Sequence, residues 1–469
     1  DMGLLIRNGE IVTAADRYTA DLRVDGGTIT DIAARLEPRG GDEIVDASGH
    51  LVLPGFVDPH VHMELPFMGT VSVDDFETGT ASGVAGGTTC IIDFCIPAPG
   101  ESLLVALEAW RKKAAKAVAD YSFHMAITSW GPDTAAEMRE VVEKHGITSF
   151  KVFMAYKGAI MVDDAALYSV MQTAARLGAV VTVHAENGDA VYHLQRELLA
   201  RGCTGPEFHP VSRPSAVEGE ATGRALMMAR LHGATAYIVH MTCRESVQAL
   251  ELAKRAGQRC YGETCPQYLL LDDSVFVKPD FGGSAYVMSP PIRPARLGHH
   301  EALWSGLQSR LLDTVGTDHC PFTHEQKRMG LSDFTKIPNG AAGIEDRLRL
   351  LYTHGVRTGR FDERRMVELG ATAPARIFGL AKKGSIAVGM DADLVVFDPE
   401  GSGVLGARTH HSQADRSVFE GFEVQGRIAR TIVAGRVAYD GARLMTQRGS
   451  GRFVARTPAT AAHYAEVKS

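Results

Sequence analysis

At ~150 residues per domain, a chain of 469 residues has room for one large barrel and a smaller module. Its 45% hydrophobic and 22% charged residues describe a folded globular protein and exclude a disordered one. Forty-nine basic against fifty-six acidic residues give a net charge of −7, which argues against a nucleic-acid or anionic-membrane partner, since both are held by clustered Lys and Arg.

The first fifty residues alternate apolar and polar positions. LLIRNGEIVT, ADLRVDGGTITDIAA and DEIVDASGHLVL are broken by Asn-Gly and Asp-Gly-Gly, a strong hairpin signal. From residue 54 to 375 the texture changes. Short β-rich runs at 56–63, 88–94, 121–127, 149–155, 180–186, 236–242, 259–265 and 313–319 alternate with helical stretches such as LLVALEAWRKKAAKAVA and ESVQALELAKRAG. Such strand–helix units predict an α/β fold, a (β/α)8 TIM-like barrel. Beyond residue 376, GSIAVGMDADLVVFDP and GRIARTIVAGRVAYDGA return to strands with Gly turns. Neither chain end has enough strands to bury a sheet face alone. Residues 1–53 and 376–446 are therefore expected to build one small β-sandwich domain together. Residues 447–469 are polar and read as an arm packed on a neighbour, or a loose tail.

No run approaches the ~18 consecutive apolar residues of a membrane span, and DMGLLIRNGEIV lacks a basic segment before an apolar one. No membrane partner and no secretory signal are expected. Seven cysteines, an odd number with no CxxC pair, read as free thiols in a reducing compartment, and the expected location is cytoplasmic.

The sharpest chemical signal is Asp58-Pro59-His60-Val61-His62. A strand repeats every two residues, so His60 and His62 face the same way and can grip one divalent ion. Asp58 shares that face and is expected to orient the histidines rather than bind metal. Further polar groups close apolar runs downstream: His184 in VTVHAEN, His240 in YIVHMT and Asp318 in VGTDHCP. A barrel gathers such strand ends at its C-terminal mouth. SFKVFMAYKG sets Lys151 inside an apolar strand, where burial lowers an amine's pKa. A neutral amine can add carbon dioxide and become a carbamate able to bridge two ions. The alternatives are a Lys151 head paired with Asp or Glu, or Lys157 in that role. His319 is expected to point to the opposite strand face. Glu263 and Cys320 lie near the mouth without an assigned role.

The blocks PGFVDPHVHME, GGTTCIIDF, GITSFKVFMAYKG, VHAENGD, YIVHMTC, GETCPQYLLL, VMSPPIR, TVGTDHCPF, IPNGAAGIEDR and KGSIAVGMDADLVVFDP occur in that order along the chain. Together they resemble the dihydropyrimidinase/hydantoinase family of the cyclic amidohydrolases. The resemblance implies two divalent metal ions per subunit, usually Zn2+. His60, His62 and Asp318 would hold the first and His184 and His240 the second. N6-carboxylated Lys151 and a hydroxide would bridge them. It implies hydrolysis of a small-molecule cyclic amide, with dihydropyrimidines and 5-substituted hydantoins opened to N-carbamoyl amino acids. Asp318 would be the general base, and Tyr156 would help stabilise the oxyanion. The main chain at Ser289 and Asn339 would hold the ureide edge of the ring. A homotetramer is likewise implied.

Dihydroorotases carry an Arg for the substrate carboxylate where this chain has Glu64, so neutral, apolar-substituted rings are favoured, with a lean toward D-hydantoins. Met63, Leu65, Phe67, Phe153 and Ile160 are expected to line the exocyclic-substituent pocket. An allantoinase-like ureide hydrolase and a non-catalytic relative of dihydropyrimidinase are the alternatives.

Overall fold

The computed structural model describes residues 3–458. The chain begins with β1 (Leu4–Val12), β2 (Arg17–Asp25), β3 (Thr28–Ala33), β4 (Glu43–Asp46) and β5 (Leu51–Pro54). The barrel opens with β6 (Phe56–Val61) and a small hairpin of β7 (Pro66–Phe67) and β8 (Thr70–Val71). It continues through β9 (Thr88–Cys95), β10 (Asp120–Ala126), β11 (Ser149–Phe153), β12 (Val180–His184), β13 (Thr235–Ile238), β14 (Cys260–Thr264) and β15 (Thr314–Val315). These strands pair in parallel in the order β15-β14-β13-β12-β11-β10-β9-β6. All the barrel strands expected from sequence have their counterparts. They read as unbroken apolar runs because both faces are covered; every residue of Thr88–Cys95 is buried. The helices between them are one-sided. Asp164–Leu177 starts at the Asp163 cap, stops at left-handed Gly178, and turns Leu167, Val170, Met171 and Ala174 inward.

The seam between β6 and β15 is the weak point, because β15 is only two residues long. The backbone crosses it once at His62 N to His319 O, 2.8 Å. Side chains supply the rest. Thr317 Oγ1 donates to Asp58 Oδ2 at 2.5 Å. The buried guanidinium of Arg347 donates through Nη1 to Val57 O and Val315 O, both at 2.9 Å, and through Nη2 to Thr88 Oγ1 at 3.2 Å.

After the barrel come β16 (Leu394–Val404), β17 (Glu423–Val433) and β18 (Arg436–Tyr439). They join the N-terminal strands in one sheet ordered β18-β17-β16-β5-β1-β2-β3, with β4 also on β1. The sheet forks at β1, whose first half pairs with β4 and whose second half pairs with β5. It encloses its own core of Leu4, Ile6, Leu22, Val24, Val52, Leu394, Val396 and Ile432. Lys383 ties this sheet to the barrel: its ammonium reaches Asp120 and Asp393 at 2.6 Å and Asp391 at 2.8 Å. Those three carboxylates lie at metal-ligand spacing, but the lysine already supplies their cation.

The end of the chain differs from expectation. Residues 447–458 pack on this chain's own barrel. Tyr121 N donates to Arg452 O at 2.9 Å and Val454 N to Tyr121 O at 2.7 Å, which adds the segment to β10. Phe453 packs on Tyr121 and Phe123, and buried Arg456 donates to Ser122 Oγ and Ser149 Oγ. Aromatic and guanidinium anchors spaced among polar residues make the stretch look loose when read alone. Residues 459–469 lie outside the described residues. Among the described residues, no helix is long and apolar enough to cross a membrane.

Arg347→Met leaves three buried acceptors unpaired, which amounts to a loss of about 3 kcal/mol or more. The thermal midpoint at fixed scan rate is expected to fall by several degrees; an unchanged midpoint would show that backbone pairing alone holds the seam.

Candidate metal centre

The strand ends deliver their polar residues to one cavity at the barrel mouth. His60 lies in β6 and His62 follows it. Lys151 lies in β11, and Tyr156 is in the loop beyond. His184 ends β12, His240 follows β13, and Asp318 follows β15. All of these line the same cavity, together with Ser289 and Asn339. Tyr156, His240 and Asp318 take left-handed backbone conformations, with φ of 68°, 39° and 53°. Such conformations are costly for non-glycine residues and persist only where the surroundings fix them.

The ligating atoms converge. Asp318 Oδ1 lies 3.1 Å from both His60 Nε2 and His62 Nε2, and the three residues have donor atoms within 4.8 Å of one another. His184 Nδ1 faces His240 Nε2 at 2.9 Å. The outer nitrogens of two rings are held by carboxylates, His60 Nδ1 by Glu263 Oε1 at 2.6 Å and His184 Nε2 by Glu186 Oε1 at 2.7 Å. That turns the inner nitrogens toward the cavity, His60 Nε2 to Asp318 and His184 Nδ1 to His240. A carboxylate behind an imidazole is the usual support of a metal-bound histidine. The donor set therefore fits a pair of divalent cations.

The neighbouring carboxylates and burial shift these groups in opposite directions. Burial opposes protonation of His60, but Asp318 and Glu263 outweigh it and raise the ring to about 9. Burial lowers His62 to about 4. Desolvation pushes Asp318 up, yet His60 and His62 hold its carboxyl well below the usual range. Lys151 is 1% exposed, and its amine lies over the rings of Phe94 and Phe153, at 4.5 and 5.0 Å from their centroids. It makes no ion pair with Asp or Glu among the described residues. Burial lowers it to about 8, with Asp318 and Glu263 offsetting only part of that. Lys157 lies away from the centre on Asp189.

A matching sequence profile, "Amidohydrolase family", covers residues 51–438. D-hydantoinase from Geobacillus stearothermophilus is 46% identical over 458 residues, 97% of each chain. Dihydropyrimidinase from Dictyostelium discoideum is 44% identical, over 97% of this chain and 91% of that one. The solved dihydropyrimidinase from Brevibacillus agri superposes with a TM-score of 0.96 at 44% identity, covering 97% and 99% of the two chains.

The chain belongs to the hydantoinase and dihydropyrimidinase branch of the amidohydrolase family.

Two expectations within this family frame need correction. Met63 does not line the cavity. It is fully buried with its sulfur against Gly79, on the helix Phe76–Ala85. The period of two that turns His60 and His62 inward turns Met63 outward. Leu65, Phe67, Phe153 and Ile160 do line the cavity, and Ile96 joins them. Glu64 also points away and pairs with Lys116 at 2.8 Å, so it repels no substrate; the cavity wall simply offers a carboxylate no arginine.

Glu263 and Glu186 are the supporting residues that the sequence reading missed. Glu263 also accepts from His240 N at 3.1 Å and Tyr237 Oη at 2.7 Å, so it fixes two rim histidines at once. Glu186 stands two residues after His184, and that same-face spacing was a usable signal. Asp58 accepts from His60 N at 3.1 Å, in keeping with an orienting role. His319 turns away to Asp74 at 2.8 Å. Glu263→Gln is expected to weaken metal retention about tenfold or more, read by titrating bound metal against a chelator.

Proposed function

We propose that this chain is a metal-dependent cyclic amidohydrolase. It opens 5,6-dihydropyrimidines and 5-substituted hydantoins to N-carbamoyl amino acids, with a preference for D-hydantoins. One observation carries the reading: His60, His62, Lys151, His184, His240 and Asp318 line one cavity with Tyr156, Ser289 and Asn339. A non-catalytic relative would have no need of that donor set.

His60, His62 and Asp318 would hold one ion and His184 and His240 the other, with carboxylated Lys151 between them. Zinc suits this nitrogen and oxygen set. When bound, the two ions supply a water that is acidic near neutral pH and a Lewis acid for the ring carbonyl. The lowered amine of Lys151 supports carbamate formation, because the neutral amine is the form that adds carbon dioxide. A carbamate also removes the burial penalty of a cation that has no ion pair among the described residues.

Asp318 takes the proton of the attacking water and returns it to the leaving ring nitrogen. Tyr156 donates to the carbonyl oxygen as negative charge grows there. Burial raises its phenol to about 12, which keeps the donor protonated at working pH. The main chain at Ser289 and Asn339 takes the ureide edge of the ring. Leu65, Phe67, Phe153 and Ile160 receive the exocyclic substituent. Residues 54–375 form the catalytic barrel, 1–53 and 376–446 the small domain, and 447–458 the described part of a C-terminal arm. The family resemblance further supports a cytoplasmic homotetramer.

The decisive measurement is ring opening of dihydrouracil, of both enantiomers of a 5-substituted hydantoin and of allantoin, with metal content determined on the same sample. Turnover of allantoin alone would overturn the substrate class. Lys151→Ala is expected to lose the second ion and the activity together, and full retention of either overturns the bridge. Tyr156→Phe should lower kcat by about 10²–10³ with metal content intact. Leu65→Ala and Ile160→Ala should change the ratio of aryl- to alkyl-hydantoin turnover.

A further inference from the structure

Two loops meet at the cavity wall where the ureide edge is proposed to sit. One carries Val287 to Ser289 and the other Pro338 to Gly340. On the cavity side Asn339 Nδ2 donates to Ser289 Oγ at 2.8 Å, and Gly340 N donates to Val287 O at 3.0 Å. Behind them lies Lys327, only 2% exposed. Its Nζ donates to Val287 O at 2.8 Å, Pro338 O at 2.6 Å and Gly340 O at 2.8 Å. Every one of these acceptors stands one or two residues from Ser289 or Asn339.

An ammonium has three donors, and here each meets a main-chain carbonyl. Among the described residues no carboxylate pairs with it. Burial lowers the amine to about 7. A buried cation without a counter-charge destabilises a fold relative to a well-packed apolar side chain. Its presence here points to a geometric task.

The delivery is equally defined. Lys327 ends the short helix His324–Lys327, whose start is fixed by a reciprocal cap: Gln326 N donates to Thr323 Oγ1 at 3.2 Å, and Thr323 N donates to Gln326 Oε1 at 2.8 Å. The second loop packs directly on the backbone at Cys320, where a Cβ at Gly340 would lie 2.2 Å from Cys320 O.

We propose that Lys327 is a positioning residue for substrate recognition, setting the spacing between the Ser289 and Asn339 loops without touching the ring. It therefore acts on the edge that every cyclic ureide shares, and neither on the metal ions nor on the exocyclic substituent. The inference rests on the proposed function.

The test is steady-state kinetics of Lys327→Met on dihydrouracil, hydantoin, a 5-alkyl- and a 5-aryl-hydantoin, with metal content measured in parallel. KM is expected to rise about tenfold by a common factor for all four, with kcat changed less than about threefold and metal content unchanged. Lys327→Arg should stay impaired, because a planar fork cannot send three donors from one atom. Thr323→Ala, which only loosens the helix that aims the lysine, should shift KM in the same sense by a smaller factor and stands in should Lys327→Met not fold. An unchanged KM in whichever variant folds overturns the proposal. So does a KM change that depends on the 5-substituent, or a loss confined to kcat. A wild type without ring-opening activity defeats the proposed function and this inference with it; an active wild type with an unmoved variant KM defeats this inference alone.

Discussion

Lys151 brings an amine into the barrel interior, against the rings of Phe94 and Phe153. An ammonium left there would cost several kcal/mol in desolvation with no ion pair in return. The surroundings answer in two ways. Burial moves the amine toward its neutral form, and the cavity beside it gathers four imidazoles and a carboxylate. Buried carboxylates behind two of the rings hold them in orientations that serve a cation. The site is thus an electrostatic problem posed by the strands and resolved by what the cavity binds.

The same surroundings sustain backbone strain. Tyr156, His240 and Asp318 sit in the left-handed region, each just past a barrel strand. Regular strand geometry would carry their side chains onward along the barrel wall. The turn at each strand end redirects them across the mouth. Such turns hold only when flanking contacts over-determine them. Glu263 accepts from His240 N, and the nitrogens of His60 and His62 grip Asp318. Carboxylate support and backbone strain are therefore two sides of one arrangement.

Much of this was legible in the sequence. The barrel strands were visible as apolar runs because parallel strands are buried on both faces. The inward histidines were visible because each closes such a run. What stayed hidden depended on contacts between residues far apart in the chain. Glu263 lies 203 positions from His60, and nothing local to GETC marks it as that ring's partner. Lys327 resembles an ordinary surface lysine in HEQKRMG until the fold turns it under two loops. Met63 was misread for a local reason, since the alternation that correctly paired His60 with His62 was not carried one residue further. The arm around Arg456 looked loose because its anchors match partners on β10 and β11 rather than each other.

The metal-binding residues flank the seam where the barrel is least paired. His60 and His62 lie on one side of the seam and Asp318 on the other, and β15 contributes only two paired residues. A longer last strand would close the barrel better, but it would hold Asp318 in strand geometry and out of reach of both rings. The short strand frees Asp318 to turn, and the lost ladder bonds are replaced from the side chains. Arg347 joins Val57 to Val315, Asp58 joins His60 N to Thr317, and Glu263 reaches His60 from β14. These groups stabilise the fold and aim the ligands through the same hydrogen bonds. Substitutions along the seam should therefore move stability and metal affinity together, whereas substitutions at the Lys327 loops should leave metal affinity unchanged.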